Sequence, residues 1–105
     1  MRAFAALPGP HAISPATVLE LTLLMEAGRL NAYSPRSLDA FIDDPRWVVD
    51  DPPALAWFNA ARDVTWTRDP FDRLIVGHAR YRSWRLATSD SRIIEKLGPR
   101  HAIEV

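Results

Sequence analysis

Three acidic residues stand close to the points where predicted strands give way to helices, and they are the chain's best candidates for chemistry. Glu20 interrupts the apolar run VLELTLLM, Asp72 lies near the start of a proline-initiated helix, and Asp90 directly follows a short apolar strand. The carboxyl ends of parallel strands and the starts of the helices that follow them share one edge of a sheet. We therefore expect Glu20, Asp72 and Asp90 to converge on that edge.

Carboxylates without thiolates or a nearby pair of histidines form the ligand set of a hard cation. The chain contains no cysteine, and Mg²⁺ or Mn²⁺ prefers oxygen ligands and keeps several of its waters. Such an ion polarises a phosphate and activates water for in-line attack. The three acids therefore predict a Mg²⁺ or Mn²⁺ site that acts on a phosphate.

Each acid also has an explanation that needs no metal. An unpaired buried carboxylate is costly, so Glu20 is expected to be neutralised, paired with an arginine or bound to a cation. Asp72 suits the first turn of a helix through the helix dipole, and Asp69 and Asp90 suit N-cap positions. Convergence from three separate junctions favours the metal site over three unrelated structural roles.

Two further side chains are candidates for contact with substrate. Thr88 lies two residues before Asp90 at a strand end, where its hydroxyl would reach a metal-bound water or a phosphate. A β-branched residue is equally suited to a strand on structural grounds alone. Arg73 belongs to a group of arginines that forms either a phosphate-facing patch or a solvated helix face. The group comprises Arg68, Arg73, Arg80, Arg82 and Arg85.

The composition is that of one globular domain. The chain has 105 residues, 13 basic and 13 acidic side chains and 48% hydrophobic residues, which suits a single core. A net charge of zero gives no whole-molecule field that favours nucleic acid or membrane. The absence of cysteine excludes a disulfide framework and fits a cytoplasmic protein. No stretch approaches the roughly 20 apolar residues of a membrane span.

Strand and helix signals alternate along the chain. Ser14-Pro15 and Ser34-Pro35 are typical helix starts, with serine as N-cap and proline at the first helical position. Alternation of this kind is typical of βαβ units and predicts the α/β class, with a parallel sheet covered on both faces. The predicted strands are 11–14, 46–49, 85–88 and 101–105, and the predicted helices run from 15 to before Gly28 and over 35–42, 52–62, 70–82 and 92–97.

The run TRDPFDRLIVGHA, followed by LATSD and an Arg-Ile-Ile helix, resembles a PIN-domain ribonuclease of the VapC toxin type. Upstream, ISPATVLELTLLMEAGRL resembles the family segment in which a small-residue strand leads into a helix bearing a glutamate. The resemblance covers residues 11–105, with 1–10 as an irregular remnant. It implies one PIN-like, three-layer αβα domain over 1–105, with a parallel five-stranded sheet.

The resemblance also implies a function. By motif position, Glu20, Asp72 and Asp90 match family acids that bind Mg²⁺ or Mn²⁺, whereas Asp69 matches one not usually counted as a ligand. Family members are endoribonuclease toxins that hydrolyse RNA phosphodiester bonds at this acidic site. The implied partners are RNA, a cognate antitoxin that covers the pocket and a second copy in a homodimer, without membrane association.

The chain departs from the family at its start. Family members open with a central strand of the type LLDT, whose aspartate is the first metal ligand, and residues 1–10 contain no acid. The resemblance therefore predicts an N-terminally truncated form with a gap between the strands at 11–14 and 85–88. The alternative function is that of a catalytically impaired PIN domain that binds an antitoxin or a full-length partner. A phosphoacceptor receiver domain shares the doubly wound layout, but Lys96 is poorly placed for it.

Overall fold

Short strands and helices alternate in the predicted order, which confirms the α/β class. The computed structural model describes residues 11–28, 39–40 and 42–105, and the structural statements below concern this part of the chain. The strands are β1 (His11–Ile13), β2 (Trp47–Val49), β3 (Leu86–Thr88) and β4 (Ala102–Glu104). The helices are α1 (Pro15–Glu26), α2 (Ala54–Arg62), α3 (Pro70–Arg82) and α4 (Ser91–Leu97).

Two predicted features lie outside the described residues. One is the irregular remnant over residues 1–10. The other is most of the helix predicted over 35–42, of which Asp39, Ala40 and Ile42 are described and helical. Within the described ranges, no helix has the length and apolar character needed to cross a membrane.

The strands form two parallel pairs. β1 pairs with β2, aligning His11 with Trp47, and β3 pairs with β4, aligning Leu86 with Ala102. No hydrogen-bonded ladder joins β1 to β3 in the part of the chain that the structure describes. The parallel direction is therefore as predicted, but the sheet is in two halves, since each of these inner strands is paired with one described neighbour only.

Local sequence signals set the helix ends. The Ser14 side chain accepts a hydrogen bond from the backbone N–H of Ala16 at 3.1 Å, so α1 begins with the predicted serine cap. Asp69 caps α3 in the same way and accepts from the N–H of Phe71 at 2.8 Å. At the other end of α3, Ser83 has a φ of 59°, in the left-handed region that stops a helix.

Helices α2 and α3 pack at very short range and carry much of the core. A Cβ atom at Gly77 would lie 2.7 Å from the backbone nitrogen of Ala61, so only glycine fits this crossing. Trp57 is buried in the same interface, and its Nε1–H donates to the carbonyl oxygen of Leu74 at 2.7 Å. The apolar cluster beside this contact contains Val64, Val76 and Ile93.

An ion-paired cluster joins the end of β2 to α3. Asp50 accepts hydrogen bonds from His78 Nε2 at 2.6 Å and from Arg82 Nε at 2.9 Å. Burial acts to raise the pKa of Asp50, but the hydrogen bonds from Arg82 and His78 hold that pKa below its usual value. His78 is 2% exposed, as expected of a core histidine. Its ring is satisfied at Nε2 only, because Nδ1 has no partner among the described residues.

Candidate acidic site

A cavity of about 210 Å³ opens at the carboxyl ends of β1 and β3. Glu20, Asp72 and Asp90 line it, together with Thr88. The acids reach the cavity from α1, from α3 and from the residue that precedes α4. The structure therefore brings the three predicted acids and Thr88 into one cavity.

Asp90 is held in place as the N-cap of α4. Its Oδ1 accepts hydrogen bonds from the backbone N–H groups of Arg92 at 2.9 Å and Ile93 at 3.3 Å. Its own N–H donates to Thr88 Oγ1 at 3.1 Å. Both bonds to the carboxylate use Oδ1, and no described residue bonds to Oδ2. The capping role and a ligand role are therefore compatible, because the cap fixes one oxygen and leaves the other for a ligand.

The loop before α3 fixes Asp72 in a similar way. The N-cap Asp69 accepts hydrogen bonds from the N–H of Phe71 and, at 3.1 Å, from the N–H of Asp72. Asp69 in turn donates its own N–H to Thr67 Oγ1 at 3.2 Å. The predicted cap is therefore present, and it places Asp72 in the first turn of α3 with its side chain at the cavity.

The electrostatics of Glu20 show that the acids are close enough to act on one another. Burial is the main cause that raises the pKa of Glu20 above its usual value. Repulsion from Asp69, Asp72 and Asp90 raises this pKa further. A cation at the cavity would relieve both effects, because it compensates the lost hydration and the repulsion together.

Asp72 has the same character with one difference. Burial raises the pKa of Asp72, and repulsion from Asp69 and Asp90 adds to that rise. The Arg92 guanidinium and a hydrogen bond with Thr67 act in the opposite direction. Asp72 therefore lies between a negative group of carboxylates and a positive neighbour.

A second, more open pocket adjoins the acidic cavity and shares Asp72 with it. The loop over residues 65–69 and the side chain of Arg92 line this pocket. The Arg92 guanidinium stacks 5.7 Å from the ring centre of Trp66 and donates a hydrogen bond to the Trp66 carbonyl oxygen. Sequence reasoning missed Arg92, although its position two residues after a helix-capping acid was a usable signal.

The predicted substrate arginine Arg73 does not line the acidic cavity. Its Nε donates to the carbonyl oxygen of Ala61 at 3.3 Å, and its Nη2 donates to that of Arg62 at 3.0 Å. These carbonyls end α2, where backbone acceptors lack helical partners and basic side chains commonly satisfy them. Of the same arginine group, Arg82 pairs with Asp50, whereas Arg68 lines the second pocket.

The donor chemistry of the cavity fits Mg²⁺ or Mn²⁺, but the distances do not form a complete ligand set. Glu20 and Asp72 are carboxylates whose charged forms are disfavoured by burial and by each other. Across the described ranges, no group of three or more His, Cys, Asp or Glu side chains is close enough to hold one ion. An ion here would therefore be held by one or two carboxylates and by waters, which is the usual mode for Mg²⁺.

Comparison with known proteins yields no match to a protein-family model, to a curated protein or to a solved structure. The functional argument therefore rests on the residues of the cavity and on their geometry.

Proposed function

We propose that this chain is a metal-dependent endoribonuclease of the PIN, VapC-toxin type. The observation that supports the proposal is the meeting of Glu20, Asp72 and Asp90, from three separate helical elements, in one cavity with Thr88. RNA is then the substrate, Mg²⁺ or Mn²⁺ the cofactor and the cytoplasm the place of action. A cognate antitoxin and a second copy of the chain are the proposed protein partners.

The residues of the cavity divide the work of hydrolysis. Glu20, Asp72 and Asp90 would hold the ion, which when bound supplies a Lewis acid for a phosphate oxygen and favours ionisation of water. Glu20 is suited to accept the proton of the attacking water, because a carboxylate with a raised pKa is a stronger base. The Thr88 hydroxyl lies where it can bond to a non-bridging phosphate oxygen or a metal-bound water. Arg92, in the adjoining pocket, would contact a neighbouring phosphate of the strand.

The direct test is cleavage of a fluorogenic single-stranded RNA in the presence of Mg²⁺ or Mn²⁺. We expect cleavage by the unmodified chain, loss of cleavage in EDTA, and at least a 100-fold lower rate for Asp72→Asn, because the amide removes both a ligand charge and repulsion that a cation would relieve. Asp63→Asn is the matched control. Asp63 is exposed and caps the C-terminus of α2, away from the cavity, so its amide should leave the rate unchanged.

Cleavage that persists in EDTA would point to a contaminating nuclease or to chemistry without a metal. Equal rates for Asp72→Asn and Asp63→Asn would exclude the acidic cavity as the active site. Circular dichroism and thermal unfolding of each variant separate loss of activity from loss of fold.

The alternative, a PIN-like domain without catalysis that acts by binding an antitoxin or a full-length partner, is favoured by a different observation. The strand pairs β1/β2 and β3/β4 are not joined in the described part of the chain, and no three-ligand group is formed there. A folded chain that cleaves no RNA at any metal concentration would support this second function.

A further inference from the structure

The acidic cavity continues as a slot between the two halves of the sheet. Its side walls are the inner strands of the halves, β1 and β3, and its floor is formed by α3. The apolar residues along it are Ala12, Ile13, Ile75, Ala79, Leu86 and Ala87. One end of the slot opens at Glu20, Asp72 and Asp90. A groove with strands for walls and carboxylates at one end restricts the chemistry of what it can hold.

The wall formed by β1 presents an open backbone edge. His11 N–H donates to the Arg46 carbonyl at 2.9 Å, and the Ile13 carbonyl accepts from Asp50 N–H at 3.0 Å, so these two residues of β1 face β2. In a parallel ladder, alternate residues direct both backbone groups to the same side. The N–H and C=O of Ala12 therefore point away from β2, into the slot.

The opposite wall has the same construction. Leu86 N–H donates to the His101 carbonyl at 2.9 Å, and the Thr88 carbonyl accepts from Val105 N–H at 3.2 Å, so these residues of β3 face β4. The N–H and C=O of Ala87 therefore face the slot, opposite those of Ala12. Ala87 is buried, at 8% exposure. A buried backbone group without a partner costs free energy comparable to a lost hydrogen bond, so this edge is suited to a partner strand.

The slot also contains an unsatisfied side chain. His78 lines it, is 2% exposed and uses Nε2 for Asp50. Its Nδ1 is buried and has no hydrogen bond to any residue in the described ranges. An occupant that only filled apolar volume would leave this nitrogen and both strand edges unpaired, so the slot favours an occupant with backbone polar groups on two sides.

We propose that the slot binds, in trans, an extended strand of a partner polypeptide: a short apolar run followed at its C-terminal end by arginine or lysine. The strand pairs with Ala12 on one side and Ala87 on the other and joins the two halves into one parallel sheet. The basic residue follows from charge complementarity, because the carboxyl ends of β1 and β3 lie at the acids. The parallel direction follows because purely parallel sheets covered by helices are over-represented. This inference does not depend on the proposed hydrolysis.

Three labelled peptides test the inference on the unmodified chain, by fluorescence anisotropy in EDTA and without RNA. The first has six alternating valines and alanines followed by arginine, with blocked ends and a polar linker to the dye. The second ends in glutamate, and the third has proline at the centre of the apolar run. We expect saturable binding of the first and at least about tenfold weaker binding of the others, since one loses charge complementarity and the other a backbone donor. The difference between arginine and glutamate should shrink as NaCl is added.

Proline substitutions test the edge itself. Ala87→Pro removes the N–H that faces the slot and keeps the bonds that Leu86 and Thr88 make to β4, and proline is tolerated at an open edge. Val49→Pro is the matched control, because the same alternation turns the Val49 N–H away from β1. We expect Ala87→Pro to bind the arginine peptide at least about tenfold more weakly and Val49→Pro to bind it normally. Ala12→Pro tests the opposite edge should Ala87→Pro fail to fold, as judged by circular dichroism.

Equal binding of the three peptides, or no binding to the folded chain, would overturn the inference. Sedimentation equilibrium gives a further result against it: if the chain self-associates and Ala87→Pro makes it monomeric without any peptide binding, the slot holds a second copy and not a partner strand. Because the assay contains neither metal nor RNA, its outcome is separate from that of the cleavage test.

Discussion

Single residues in the acidic cavity serve the fold and the proposed chemistry at once. Asp90 caps α4 through Oδ1, and Thr88 accepts the Asp90 N–H, so the residues proposed to meet the ligand are already fixed by backbone hydrogen bonds. Glu20 differs from them, because no local cap accounts for it and its charged form is disfavoured by burial. It is therefore the residue at which function and stability oppose each other.

We expect Glu20→Gln to stabilise the metal-free fold at neutral pH. The folded-state pKa of Glu20 lies above its usual value of 4.5, so the folded state binds the proton more tightly and the ionised side chain lowers stability above that range. Allowing for the partial exposure of Glu20, the gain at pH 7 should be roughly 0.5 kcal/mol, or about 3 °C in Tm.

The measurement is thermal unfolding of both proteins from pH 7 down to pH 4. The gain should disappear as the pH falls towards 4.5 and below, where the glutamate becomes protonated in both states. Glu95→Gln on the exposed surface of α4 is the control and should not change Tm. A destabilised Glu20→Gln variant at pH 7 would contradict the account, since it would mean that the charged form has a stabilising partner.

At the scale of elements, the contact between α2 and α3 sets the position of the helix that carries Asp72. The crossing is close because Gly77 has no side chain, and a Cβ there would meet the backbone nitrogen of Ala61 at 2.7 Å. Arg73 adds to this contact by bonding to the last carbonyls of α2. A residue read from the sequence as a substrate contact therefore works in the structure as a link between two helices.

We expect Gly77→Ala to destabilise the fold by about 2 kcal/mol, although alanine is the better helix former. The loss corresponds to a fall in Tm of roughly 10 °C in a domain of this size, and denaturant unfolding would measure it. The double variant with Ala61→Gly is the informative companion. It should not restore stability, because the nearest atoms of Ala61 belong to its backbone. Full rescue by Ala61→Gly would show that the contact is between side chains only.

At the scale of the whole molecule, two half-sheets are held together through helices. The ion-paired cluster of Asp50 with His78 and Arg82 is a direct polar link between the β1/β2 half and α3. The pKa of Asp50 is lowered by these partners despite its burial. Since the folded-state pKa is depressed, the cluster stabilises the protein fully above the usual Asp pKa of 3.8 and loses that effect as the pH falls through the folded-state value.

We therefore expect Asp50→Asn to cost about 2 kcal/mol at pH 7, because the neutral amide weakens two charge-assisted hydrogen bonds. The difference from the unmodified chain should shrink as the pH falls below 3.8. Urea unfolding at pH 7, 5 and 3 measures this, with Asp44→Asn as the control. Asp44 pairs with Arg46 only two residues away, so that exchange should not change the midpoint detectably. A cost for Asp50→Asn that is the same at all three pH values would argue against an electrostatic link.

The sequence by itself determined the elements and the capping residues. The strands lie within one residue of the predicted ranges, because serine, aspartate and proline at helix starts act through hydrogen bonds that span only two or three residues. It also indicated that Glu20, Asp72 and Asp90 would meet, since strand–helix junctions share one edge of a parallel sheet. These are consequences of local chemistry and of strand direction.

Only the tertiary structure decided which partners the longer side chains take and how the strands assemble. Arg73 binds α2 carbonyls, and Asp50 reaches His78 across 28 positions of the chain, choices that depend on which surfaces come together. The division of the sheet into two halves, with the edges of Ala12 and Ala87 facing one slot, likewise has no local signature. Strand pairing joins backbone groups that are distant in sequence, so a pattern of residues predicts that a strand forms but not which neighbour it has.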